Sequence, residues 1–129
     1  MKVTKENFAE LLRQVVSAET SSDPVGWSKD NPLWGHCTVA SRLAQDYLEG
    51  DVVRGSLETF SQYSEMRWHY WNKLPDGTVI DFTAEQFPDI SITDLVQEPR
   101  EREKDFKHED VLRRYMLLKD RFEKLAAAS

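Results

Sequence analysis

The chain of 129 residues has a single cysteine, Cys37, and therefore no pair from which an internal disulfide could form. Stability must then come from the core, and a reducing compartment would leave the thiol free. No apolar run approaches the roughly 18 residues that span a bilayer, and the polar start MKVTKENFAE lacks the apolar stretch of a secretory signal. These shortages predict a cytoplasmic protein with no membrane partner. Positive charge is also scarce: 17 Lys and Arg against 23 Asp and Glu give a net charge of −6. That balance argues against a nucleic-acid partner, which would need a basic surface. There is no internal repeat and no long low-complexity segment. With 40% hydrophobic residues, the chain is long enough for one domain over 1–129 that buries about two thirds of its unfolded surface.

Apolar spacing places the helices. Phe8, Leu11, Leu12, Val15 and Val16 predict a helix from Thr4 to about Ser17, with Thr4 as N-cap. Residues 18–33 are rich in Ser, Asp, Asn, Pro and Gly and predict a loop, pinned by Trp27 and Trp34. A second helix starts near Cys37, turns Val39, Ala40, Leu43, Ala44 and Tyr47 to the core, and stops at Gly50. Val111, Tyr115, Leu118, Phe122 and Leu125 form the apolar stripe of a C-terminal helix over about 108–128. The stripe is too short for a confident coiled coil, so it predicts a monomer or a weak homodimer. Segment 97–110, dense in charge, reads as a solvated linker, and Ile90 to Val96 fits either a strand or a short helix.

Between these helices, DVVRGSL (51–57) reads as a strand, residues 58–65 as a polar loop, and MRWHYWNKL-PDG-TVIDFT as a β-hairpin. If Pro75, Asp76 and Gly77 all belong to the turn, Leu74 pairs with Thr78, Trp71 with Asp81 and His69 with Thr83. His69, Trp71, Asp81 and Thr83 then share one face, and Asn72 points to the other. Thr83-Ala84-Glu85-Gln86 has the form of a capping box opening a helical turn.

In chain order this yields a cysteine at a helix start, a histidine on a strand and an aspartate on the next strand. A helix N-terminus and a neighbouring imidazolium both favour the reactive thiolate. His69 would take the thiol proton and return it to a leaving group, and Asp81 would orient the ring. Backbone N–H groups at the helix start would face a developing oxyanion, with Asn31 as first side-chain donor and Trp27 and Trp34 as further candidates. Trp34 and Trp71 are the candidate walls of a substrate site. Zinc ligation by His36, Cys37, His69 and Asp81 is the competing use of these side chains, but the adjacent His36-Cys37 pair has no usual ligand spacing. No metal or cofactor is expected.

The segments GHCTVAS and HYWNKLPDGTVIDFT resemble the Cys, His and Asp motifs of the transglutaminase-like branch of the papain-like fold. Cys37 matches the nucleophile of that branch, His69 the base and Asp81 the orienting acid. Asn31 resembles, by its offset alone, the oxyanion-hole glutamine of papain-like proteases. More closely, NPLWGHCTVASRLAQDYLEGDVVRG and HYWNKLPDGTVIDFTAEQF resemble the YunG-like family of small bacterial proteins, over about the middle half of the chain. The resemblance implies an α+β papain-like domain, with a central Cys-bearing helix packed on a small antiparallel sheet and flanked by terminal helices. It also implies thiol-dependent acyl transfer on a small-molecule or peptide substrate. A binding module that kept the fold without the chemistry is the alternative.

Overall fold

A computed structural model describes residues 1–128. Three helices carry most of the apolar core. They are α1 (Phe8–Arg13), α2 (Cys37–Leu48) and α4 (Glu109–Ala127). Phe8 stacks against Phe82 and Phe122 at centroid distances of 4.7 and 5.2 Å, and Leu12, Leu43 and Leu118 are fully buried around them. Complete burial of each such side chain contributes roughly 1.5–3 kcal/mol. The apolar stripe of α4 therefore closes the core of its own chain.

The first helix is shorter than its apolar spacing predicts. Thr4 and Asn7 exchange side-chain bonds with each other's backbone N–H (3.3 and 2.8 Å), which holds a separate turn ahead of α1. Behind α1, Val15 and Val16 still pack on the core from outside the helix, and Ser17 is already extended. Trp27 and Trp34 tie the following loop together by donating their indole N–H groups to the Pro32 carbonyl and to Asp23 (2.8 and 3.0 Å).

Four antiparallel strands make one sheet: β1 (Asp51–Ser56), β2 (Trp68–Lys73), β3 (Val79–Ile80) and β4 (Glu98–Pro99), in the order β3-β2-β1-β4. The turn between β2 and β3 uses all three of its residues, with Gly77 at φ 89° and the Leu74 N–H donating to the Thr78 carbonyl at 2.8 Å. The pairs Asn72 with Ile80 and Lys73 with Val79 continue that register. Side-chain alternation then divides β2 into two faces. Tyr70 and Asn72 look toward α2, where Asn72 donates to the Ser41 carbonyl at 3.0 Å. His69 and Trp71 look the other way, toward Phe87 and Leu95.

Segment 97–110 is no solvated linker. It supplies β4 and a short helix, α3 (Arg102–Phe106), whose Asp105 is buried. The reason is Arg42, a fully buried side chain of α2 that needs a counter-ion: its guanidinium lies 2.6 Å from Asp105. Arg100 and the Tyr70 hydroxyl occupy the second Asp105 oxygen at 3.1 and 2.9 Å. Residues 90–96 contribute one 3-10 turn, Ile92–Asp94, and no strand.

Candidate functional site

Entry into α2 is set by Gly35. At φ 75° it occupies the left-handed region, and a Cβ there would lie 2.2 Å from the Ser21 hydroxyl, so only glycine fits. His36 follows as N-cap and Cys37 as the first residue of the 12-residue helix, which brings the sulfur to the positive end of the helix dipole. Cys37 is 5% exposed and packs with Val52, Tyr70 and Trp68.

The sulfur's polar contact is the Trp68 carbonyl, at 3.9 Å. Its position follows from the strand pairing. Leu57 N–H donates to the Arg67 carbonyl, so that carbonyl faces β1 and the next one, on Trp68, faces the opposite edge of β2. Beyond Ile80 that edge has no strand partner, because β3 is only two residues long. Cys37, on the α2 side of the sheet, thus reaches the backbone next to His69, although His69 projects from the other face. Strand termination leaves the backbone beside His69 open to the sulfur.

Asp81 leaves the ladder to bond His69 and Thr83. Its Oδ2 meets His69 Nε2 at 2.6 Å, and its Oδ1 accepts the Thr83 N–H at 3.1 Å. The second bond is an Asx-type turn. His69 is 2% exposed, and its ring lies edge-on to Phe87 at 5.0 Å and beside Trp71 at 5.8 Å. Burial opposes the charged ring, but the Asp81 hydrogen bond and the neighbouring Cys37 side chain outweigh it and raise the His69 pKa to about 9. With Nε2 engaged by Asp81, Nδ1 is left buried without a hydrogen bond to any described residue. It is the free nitrogen of a ring whose other polar neighbour is Cys37.

The remaining candidates fall around this pair. Asn31 donates to the Gln86 carbonyl at 3.4 Å, while its Oδ1 has no partner among the described residues. The Trp34 indole N–H is engaged by Asp23, and its ring packs against Tyr63 and Phe87. Trp71 is 1% exposed and backs the His69 ring from beneath the surface. His36 is turned into the interior, with Nε2 held by the Thr20 hydroxyl at 2.6 Å and Nδ1 by the Trp34 carbonyl at 2.9 Å. Burial, aided by Arg114, lowers its pKa to about 4. Among the described residues no three His, Cys, Asp or Glu side chains are grouped to hold a metal ion.

One polar residue of the site escaped the sequence reading. Thr83-Ala84-Glu85-Gln86 does form a 3-10 turn, but Thr83 makes no side-chain cap bond. The Gln86 side chain bonds Thr83 Oγ1 at 2.9 Å and the Gly35 N–H at 3.1 Å. Its only signal in the sequence was the spacing that suggested a capping box.

A model of the family described as YunG protein matches residues 4–127. No curated protein and no solved structure matches the chain.

Proposed function

The chain belongs to the YunG family, and from the geometry of its site we propose that it is a thiol-dependent acyl-transfer enzyme with a papain-like domain of the transglutaminase type. The observation that carries this reading is the setting of the His69 ring: Nε2 is held by Asp81 at 2.6 Å, and Nδ1 is buried without a hydrogen bond to any described residue, beside a cysteine at a helix N-terminus. In a neutral ring Asp81 selects the tautomer with hydrogen on Nε2, so the lone pair lies on Nδ1, where a base for the thiol must carry it.

In the reaction, the Cys37 proton passes to His69 and the sulfur attacks the carbonyl carbon of an amide, ester or thioester. The carbonyl oxygen takes the charge, faced by N–H groups of the first turn of α2 and by the Asn31 side chain as candidate donors. Collapse breaks the bond to the leaving group, which takes the proton from His69, and leaves a thioester on Cys37. Water or an amine, deprotonated by His69, then releases the acyl group and regenerates the thiol. The substrate is a small molecule or a peptide, and the chemistry needs no cofactor.

The test is the rate of Cys37 alkylation against pH, with and without His69→Ala. An activated thiol reacts well below the free-cysteine pKa of about 8.5, and the substitution moves that profile up to the free value. A profile that already lies near the free value and ignores His69→Ala overturns the enzyme. One observation favours a second reading, that of a binding module: at 5% exposure Cys37 offers little surface to a substrate.

A further inference from the structure

We propose that Gln86 is the positioning residue that holds the Cys37 helix entry and the Asp81 turn at a fixed separation and orders the hydrogen bonds leading to His69. The inference rests on the acyl-transfer reading and adds a residue to it.

Gln86 is 1% exposed, and both ends of its side chain and its backbone carbonyl are bonded. Its Oε1 accepts from the N–H of Gly35, two residues before Cys37. Its Nε2 donates to Thr83 Oγ1, two residues after Asp81. Its backbone carbonyl accepts from Asn31. One amide therefore spans the two chain segments that deliver sulfur and carboxylate, which are joined by no strand pairing at this edge of the sheet.

The direction of each bond is dictated by chemistry. Gly35 N–H can only donate, so the amide must turn Oε1 to it and Nε2 to Thr83. Nε2 can only donate, so the Thr83 hydroxyl accepts there and turns its own hydrogen to Asp81 Oδ1, 3.4 Å away. Asp81 then receives donors from Thr83 on Oδ1 and offers Oδ2 to the His69 N–H. Every donor in the series points at the carboxylate and so fixes the direction in which Oδ2 meets the His69 ring. Methionine at position 86 would fill similar space and supply neither end; ionised glutamate could accept from Gly35 but could not donate to Thr83.

The decisive measurement is the NMR titration of the His69 ring in the intact chain, in wild type and Gln86→Met, together with the pH profile of Cys37 alkylation. The expected result is a His69 midpoint lowered by about one pH unit, roughly a tenfold change in proton affinity, with the alkylation profile displaced alongside it. Should Gln86→Met fail to fold, Thr83→Val breaks the same series at its next member and is expected to lower the midpoint likewise, whereas Thr83→Ser keeps the hydroxyl and restores it. A variant that lowers the melting temperature but leaves the His69 midpoint at the wild-type value overturns the positioning role. If instead wild-type alkylation ignores His69→Ala while the midpoint still responds to Gln86, the acyl-transfer reading fails and the positioning role stands.

Discussion

His36 and His69 are both almost free of solvent contact, yet their surroundings drive their protonation in opposite directions. Around His36, burial dominates and the Thr20 and Trp34 bonds are met by a neutral ring, so its pKa falls to about 4. Around His69, burial is overcome by Asp81 and Cys37, and the pKa rises to about 9. The reference value for both is 6.5. For His69, whose folded value is raised, the stabilisation is full below pH 6.5 and is lost as pH climbs through about 9. For His36, whose folded value is depressed, the neutral ring is accommodated above pH 6.5, and stability falls as pH drops through about 4 because the unfolded chain takes up the proton first. Together the two histidines produce a stability maximum near pH 6.5, with limbs on the order of 3 kcal/mol each. Urea unfolding from pH 4 to 9 checks this. His36→Asn should flatten the acid limb and His69→Asn the alkaline one; limbs that survive both substitutions belong to other groups.

The meeting of His69 and Asp81 was legible because it depends on local rules. Pro75-Asp76-Gly77 sets the loop length, the loop sets the register, and the register puts the two residues on one face. The Cys37 helix was legible for the same kind of reason, from the apolar period of α2 and the Gly50 that ends it. What escaped the sequence were particular side chains whose partners lie on other segments. Asp105 looked solvated inside a run of charges, because nothing near it in sequence announces that Arg42 is buried and unpaired without it. Gln86 looked like a cap because its actual partner, Gly35, lies on another segment. The strand after the turn was expected to run on to Thr83, but Asp81 abandons the ladder for side-chain bonds to His69 and Thr83 that period-two patterning cannot anticipate.

The Arg42–Asp105 pair carries a separate prediction about stability. Both side chains are removed from water, at 0% and 2% exposure, and Asp105 is also the acceptor for Arg100 and Tyr70. Replacing Asp105 by Ala strands a buried guanidinium, a change that costs about 3–5 kcal/mol. Leu in place of Asp105 would leave the same guanidinium unpaired and is expected to do no better. The check is a lowered urea midpoint at unchanged slope. Because Tyr70 packs on Cys37 and bonds Asp105, Cys37 alkylation should become less selective in the same variants.

The 3-10 turn Ser61–Met66 packs, through Tyr63, on the aromatic side chains around His69. Tyr63 packs on Phe87 at 4.5 Å and on Trp34 at 6.3 Å, and Phe87 in turn touches the His69 ring. Asp89 fastens this turn from outside by accepting hydrogen bonds from the Tyr63 hydroxyl and, at 2.9 Å, from Gln62. Burial and the Asp89 bond push the Tyr63 pKa up to about 12, and the Tyr63 bond holds Asp89 below the usual carboxylate range. The fastening is therefore intact from mildly acid to strongly alkaline pH and cannot itself give the alkylation rate a pH dependence near neutrality. Asp89→Ala should release the turn and raise the alkylation rate of Cys37 roughly threefold, the scale of an exposed polar contact, with the shape of the pH profile unchanged. Tyr63→Phe, which keeps the ring packing and loses only the hydroxyl, should give a smaller increase, and Tyr63→Ala a larger one. If Asp89→Ala alters the profile's midpoint and leaves its plateau rate as it was, the turn acts on His69 itself and does not cover the thiol.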